Sequence, residues 1–282
     1  MLLSSFLAFG LLSLVNPSRS LHLAPRDEYP LPNEGNLQIH DPNVLLYNHT
    51  FYAFKGAPSI QYFQAPSMDG PWSLVGTVLN GPSIIDKKDP NRPWAPTVIE
   101  LNGSFYCFYA ISQVGTRDSS IGIATSHSLN PGSWTDHGAL INTGGGDRSD
   151  IFPYTVSNAI DPSVIVDHND GKPWLAFGSF WTDIWQVPMT DDMLSVENPN
   201  TPAANHLTYI DLPGNDNKIL SSYPLWTDPE GTRPEEGSWI SYRRPYYYLW
   251  FSHGQCCYFN VKELPPPGQE YASPMTCLIR TR

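Results

Sequence analysis

Charge is the first thing this chain lacks. Only 15% of its 282 residues are Asp, Glu, Lys or Arg, and 16 basic residues face 27 acidic ones. The formal net charge of −11 leaves no basic surface for nucleic acid or an anionic membrane. Cysteine is scarce as well. Cys107, Cys256, Cys257 and Cys277 are the four present, with no CxxC pair and no Cys/His spacing for zinc. No stretch carries the apolar period of a long amphipathic helix, which excludes a helical bundle. Aromatics, by contrast, reach 13%, with 9 Trp and 15 Tyr beside 28 Pro and 21 Gly. That mixture predicts many short strands joined by turns. The length suffices for one large domain with a sizeable core.

Residues 1–20, MLLSSFLAFGLLSLVNPSRS, pair an apolar core with small residues, the pattern of a secretory signal. The apolar run is too short to span a bilayer comfortably. We therefore expect a secreted, extracellular protein whose single domain covers 21–282. Two sequons agree with export: Asn48-His49-Thr50 and Asn102-Gly103-Ser104, both in turns between predicted strands. In an exported chain some cysteines can pair, Cys256 with Cys257 included, but the spacing does not choose among pairings.

Four segments share one pattern: DPNVLLYNHTFYAF from 41, APTVIELNGSFYCFYA from 95, DPSVIVDHNDGKPWLAFGSF from 161 and EGSWISYRRPYYYLWFSHG from 236. Each opens on a small or acidic residue, runs into a β-branched and aromatic strand, turns, and returns as a second aromatic strand. Their starts lie 54, 66 and 75 residues apart. Units of this size predict propeller blades of four strands, with FQAPSMDGPWSLVG and ATSHSLNPGSWTDHGAL as outer hairpins. A β-sandwich is the other architecture that alternating strands and turns allow. TGGGDRSD at 143–150 lacks the strand and helix of a phosphate loop and reads as a flexible connection.

In a propeller the innermost strands surround an axis, so their equivalent ends converge. Those ends carry Asp41, Ala95 (with Trp94 before it), Asp161 and Glu236. A single acid at a strand head is most simply a cap. Three at one repeat position repel each other, which costs stability and points to function. Two carboxylates across a cleft are the equipment of a glycosidase: one protonated to serve the leaving oxygen, one to draw a proton from water. Glu236, beside Trp239 and an aromatic strand, suits the acid. Asp41, between His40 and Pro42, suits the base. Asp161 is the third charge that holds up the acid's pKa and orients it. Trp94, Phe180 and Trp181 offer flat apolar faces for sugar stacking, although core packing explains any one of them equally well.

His40-Asp41-Pro42, Trp94-Ala95-Pro96, Asn158-Ala159-Ile160-Asp161-Pro162-Ser163, Gly178-Ser179-Phe180-Trp181 and Glu236-Gly237, followed by YYYLWFS and Cys256-Cys257, resemble the endo-arabinanases of glycoside hydrolase family 43. The resemblance runs from about residue 37 to 270 with the motifs in the family's order. It implies an all-β, five-bladed propeller that cleaves α-1,5-linked arabinan with inversion, and a protein that acts as a monomer. It implies Asp41 as base, Glu236 rather than the adjacent Glu235 as acid, and Asp161 as pKa modulator. It also implies substrate contacts from Gly122, from Asn158, Ala159, Ile160 and Asp161, and from Ser179, Phe180 and Trp181. A calcium ion on the axis belongs to the same resemblance, yet the histidines here show no metal-ligand spacing.

The match departs after the cysteine pair. Only 25 residues follow Cys257, and 258–282 contain three consecutive prolines without a two-strand pattern. A missing or incomplete fifth blade is expected. Three readings stay open: an endo-arabinanase, an exo-acting arabinofuranosidase or xylosidase of the same family, and an inactive arabinan-binding remnant.

Overall fold

The structure is a computed structural model and describes residues 37–208, 235–253 and the strand 276–280. Every regular element among them is a strand. The first sheet is β1 (Asn43–Tyr47), β2 (Thr50–Lys55), β3 (Gln61–Ala65) and β4 (Ser73–Thr77). The second is β5 (Trp94–Leu101), β6 (Ser104–Ile111), β7 (Ser119–Ser126) and β8 (Thr135–Thr143). The third is β9 (Ser163–Val166), β10 (Pro173–Phe177), β11 (Trp185–Pro188) and β12 (Asn205–His206). The fourth is β13 (Glu235–Arg243), β14 (Tyr246–His253) and β15 (Thr276–Arg280). In each sheet the strands pair antiparallel in chain order. Four separate meanders do not make a two-sheet sandwich, so that alternative is excluded. The two expected outer hairpins are β3–β4 and β7–β8.

Turn chemistry sets the register of the inner hairpins. Asn48 and His49, and likewise Asn102 and Gly103, occupy two-residue turns with φ of 47°, 60°, 53° and 77°. Two consecutive left-handed residues make the turn whose twist matches its flanking strands, and Asn and Gly tolerate it best. Both sequon asparagines therefore sit exposed at hairpin tips.

Sheets pack face to face through apolar wedges. Phe54 and Tyr62 of the first sheet meet Phe105, Cys107 and Tyr109 of the second. Phe108, Ile121 and Ile123, on the opposite face of the second sheet, meet Leu175, Phe177 and Val187 of the third. Ile184 then meets Leu249 and Phe251 of the fourth. Covered on both faces, β6 reads as an almost unbroken apolar run, SFYCFYAI, instead of an alternation. Cys107 is a free thiol in this core, which removes it from any disulfide. The Cys256–Cys257 pairing lies outside the described residues.

The first strands of successive sheets, β1, β5, β9 and β13, lie side by side. Buried polar groups fasten them. Val98 N–H donates to Asn43 Oδ1 at 3.0 Å, Thr97 Oγ1 donates to Pro162 O at 2.6 Å, and the Ser163 and Ser238 hydroxyls meet at 3.4 Å. Leaving any partner unsatisfied in this interior would cost about 1–3 kcal/mol.

The glycine-rich 143–150 segment departs from the flexible connection expected of it. The buried Lys87 ammonium donates to Thr143 O and Gly145 O and pairs with Asp118. Gly144 adopts φ 74°, and a Cβ there would stand 2.7 Å from Arg117 O. Arg117 in turn donates to Ser157 O and Tyr154 O. A cation that cannot reach water collects carbonyl oxygens, and the loop is pinned by it.

Candidate active site

A left-handed residue stands at or near the head of each inner strand: Asp41 (φ 48°), Ala95 (φ 40°), Asp161 (φ 53°) and Gly237 (φ 64°). Non-glycine residues in this region are strained by about 1–2 kcal/mol, a cost that clusters at functional sites. The list corrects one expectation. Glu236 is not the repeat equivalent of Asp41 and Asp161; Gly237 is. Pairing of β5 with β6 shifts by one between Trp94 and Thr97, and pairing of β13 with β14 shifts identically between Glu236 and Trp239. Glu236 therefore stands where Trp94 stands, one residue ahead of the left-handed position. The sequence pattern hides this offset because a bulge changes register without changing residue type.

The carboxyl groups meet through the third and fourth sheets. Gly237 N–H donates to Asp161 Oδ2 at 3.0 Å, and Ser179 Oγ donates to Glu236 Oε2 at 2.9 Å. His40 Nε2 lies 3.3 Å from Asp41 Oδ2. Burial, then the charges of Glu236 and Asp41, push the Asp161 carboxyl up to about 8, against the pull of the Gly237 N–H. Burial also raises Glu236; the Ser179 hydroxyl pulls it back and the Asp41 charge pushes it further. Asp41 is raised by burial and lowered by His40. The larger rise falls on Asp161 rather than on the glutamate expected to act as acid. Carboxyls this close titrate as one set, so a charge on either one raises the other.

Glu235 is placed differently. It is 7% exposed, its N–H donates to Asp183 Oδ1 at 3.2 Å, and its carbonyl accepts from Phe180 N–H at 3.2 Å. The groups whose charges bear on Asp161 are Glu236 and Asp41, not Glu235.

Around the acids, Trp94, Phe180 and Trp181 are half-buried, the last two with left-handed backbones. Ser179 is buried. Asn158 and Ala159 are 2% and 0% exposed and support the Asp161 strand head from within. The Asn158 side-chain Oδ1 accepts from Ser119 Oγ at 2.7 Å, while Ala159 N–H donates to Thr143 Oγ1 at 3.1 Å. Ile160, also buried, accepts at its carbonyl from Gly178 N–H. Gly122 sits inside the second sheet, where a Cβ would lie 2.6 Å from Tyr109 Cζ and 2.6 Å from Ile85 Cδ1. Packing by itself demands glycine there. Ser119, Thr143 and Asp183 escaped sequence reasoning, since a lone Ser, Thr or Asp in a loop carries no pattern. Among the described residues no group of three His, Cys, Asp or Glu could hold a metal ion.

Carboxyls from three sheets, one accepting the backbone N–H beside another and all held above their ordinary range, can give and take protons near neutral pH. Known proteins then give the lineage. The chain belongs to the glycosyl hydrolases family 43, whose model matches residues 35–274. It is 49% identical over 244 residues to the probable arabinan endo-1,5-alpha-L-arabinosidase D of Emericella nidulans, covering 86% of this chain and 59% of that one. The chain thus spans about three-fifths of that relative's length. Among solved structures it is similar to the Cellvibrio cellulosa alpha-L-arabinanase complexed with arabinohexaose, with TM-score 0.64 and 25% identity, covering 79% of this chain and 67% of that one. It is also similar to an exo-1,5-alpha-L-arabinanase from a bovine ruminal metagenomic library, with TM-score 0.62 and 25% identity over 80% of this chain and 68% of that one.

Proposed function

We propose that the chain is a secreted, endo-acting hydrolase of α-1,5-linked L-arabinan that inverts the anomeric centre. Asp41 is the base, Glu236 the acid and Asp161 the group that keeps the acid protonated. Asp41 takes a proton from water as its oxygen bonds to the anomeric carbon. Glu236 gives its proton to the leaving glycosidic oxygen as that bond breaks, and solvent exchange resets both groups. Asp161 reaches Glu236 through the Gly237 N–H bond, which fixes the backbone beside the acid, and the charge of Glu236 bears back on Asp161. That bond, tying Asp161 to the backbone beside Glu236 across two sheets, is the observation that carries the reading.

Four consecutive meanders with adjacent inner strands support a five-bladed propeller plan, of which a fifth blade has no counterpart among the described residues. Arabinan as substrate is supported by the names of the curated relative and of the arabinohexaose complex. Exo-action is the second reading, favoured by the exo-arabinanase neighbour, and product lengths separate the two. Export rests on the leader pattern at 1–20 and on the exposed turn positions of Asn48 and Asn102. A mass drop on enzymatic removal of N-glycans from the secreted protein checks the latter.

The primary test is release of reducing ends from linear α-1,5-arabinan. Glu236→Gln should cut turnover by about 10²–10⁴, the share a general acid supplies. A larger loss from Glu235→Gln would overturn the assignment of the acid. Arabinan binding without any hydrolysis, in cooperatively folded protein, would leave only a binding role.

A further inference from the structure

The segment after β10, Gly178-Ser179-Phe180-Trp181-Thr182-Asp183, has four left-handed residues within six: Gly178 (φ 127°), Phe180 (φ 53°), Trp181 (φ 46°) and Asp183 (φ 58°). Such strain persists only where surrounding bonds over-determine it. Here they do. Asp183 N–H closes a tight turn onto Phe180 O, and Thr182 Oγ1 donates to Val156 O at 3.0 Å. Gly178 N–H donates to Ile160 O, the residue before Asp161. A Cβ on Gly178 would stand 2.0 Å from Asp183 O, so the two ends of the loop are in contact. On its other side the loop grips Glu235, the residue before Glu236, by both backbone groups: Asp183 Oδ1 accepts its N–H, and Phe180 N–H donates to its carbonyl. The same loop delivers the Ser179 hydroxyl to Glu236 Oε2.

We propose that the 178–183 loop is the positioning device for the Glu236 carboxyl, and that Asp183 is the residue that locks it. The inference rests on the reading of Glu236 as the acid. Asp183 touches no reacting atom in this scheme. It holds residue 235 against the loop so that residue 236 meets Ser179 in one geometry. Its side chain also suits its own backbone, since Asp is among the few residues that tolerate the left-handed region. Ser179, expected as a sugar contact, is buried and spends its hydroxyl on the acid.

The test reads Glu236 itself. Glutamate side-chain carboxyls are ¹³C-labelled in the full chain, and the resonance missing from Glu236→Gln is followed against pH. The titratable groups whose charges bear on Glu236 are Asp41 and His40 from the first strand head, and Glu236 in turn bears on Asp161 at the third. They are untouched in every variant compared. Ser179→Ala removes a hydrogen bond to the charged form, so the Glu236 midpoint should move to higher pH. Asp183→Ala should move it the same way by freeing the loop. Asp183→Asn, which loses the charge but keeps the accepting oxygen, should leave it near wild type. A midpoint unmoved in Asp183→Ala overturns the role of Asp183, and one unmoved in Ser179→Ala overturns the device. If Asp183→Ala does not fold, the Ser179→Ala and Asp183→Asn pair decides. A separate arm tests the underlying reading with an aryl arabino-oligosaccharide whose nitrophenolate leaving group needs no acid. Glu236→Gln should lose arabinan turnover yet keep most aryl turnover, and equal loss on both would sink Glu236 as acid without bearing on the titrations.

Discussion

At Asp161 one carboxyl feels two others, and the consequences are titratable. The modulator role requires Asp161 to carry its charge while Glu236 keeps its proton, so in that case Asp161→Asn should move the alkaline limb of the pH–rate profile to lower pH. An unmoved limb removes Asp161 from the modulator role. Stability should carry the same signature. A carboxyl raised from 3.8 to about 8 keeps its proton in the folded state while the unfolded chain gives it up. The folded state then binds more protons between those limits, so stability falls as pH rises from about 4 towards 8. Thermal melts across that window should show the decline, and Asp161→Asn should flatten it.

Buried contacts hold two of the elements in place. The inner strands are bolted by buried side-chain hydrogen bonds just inside the strand heads, among them Thr97 to Pro162 O. Thr97→Val keeps shape but strands that carbonyl, which should cost about 1–3 kcal/mol in denaturant unfolding. The second element is β7, where Gly122 lets Tyr109 reach its partners: Tyr109 O–H donates to Asp136 Oδ1 at 2.5 Å and lies 2.7 Å from Ser83 Oγ. Gly122→Ala should overpack that contact at about 1–3 kcal/mol, with KM for arabinan unchanged. A raised KM in a protein of normal stability would return Gly122 to the substrate site.

Across the whole molecule, three apolar wedges link four sheets in sequence, so no described sheet keeps a private core. Unfolding should accordingly be one cooperative transition, with tryptophan fluorescence and near-ultraviolet circular dichroism coincident. Separate midpoints would mean that the sheets melt independently. Among the described residues the first sheet leaves Val44 40% and Leu46 59% exposed, and the fourth leaves Trp239 41% exposed. The net charge of −11 sets the expected partner chemistry. For a neutral polysaccharide, KM should stay constant within about twofold as ionic strength rises, because no charge attraction is there to screen.

By itself the sequence determined the strand-and-turn composition, the four repeat heads, and Asp41, Asp161 and Glu236 as the acids worth joining. Period-two apolar runs and Asn-Gly or Asn-His turns are local signals, written within a few residues. Tertiary structure alone decided the one-residue offset of Glu236, since a bulge is a property of pairing and not of composition. It also decided that Gly122 and Asn158 serve the interior, that Lys87 pins the glycine-rich loop, and that Asp183 reaches Glu235. For Asn158, Lys87 and Asp183 the partner lies 39, 58 and 52 positions away in the chain. Such distances are closed only when sheets pack, which is why no local pattern announces them.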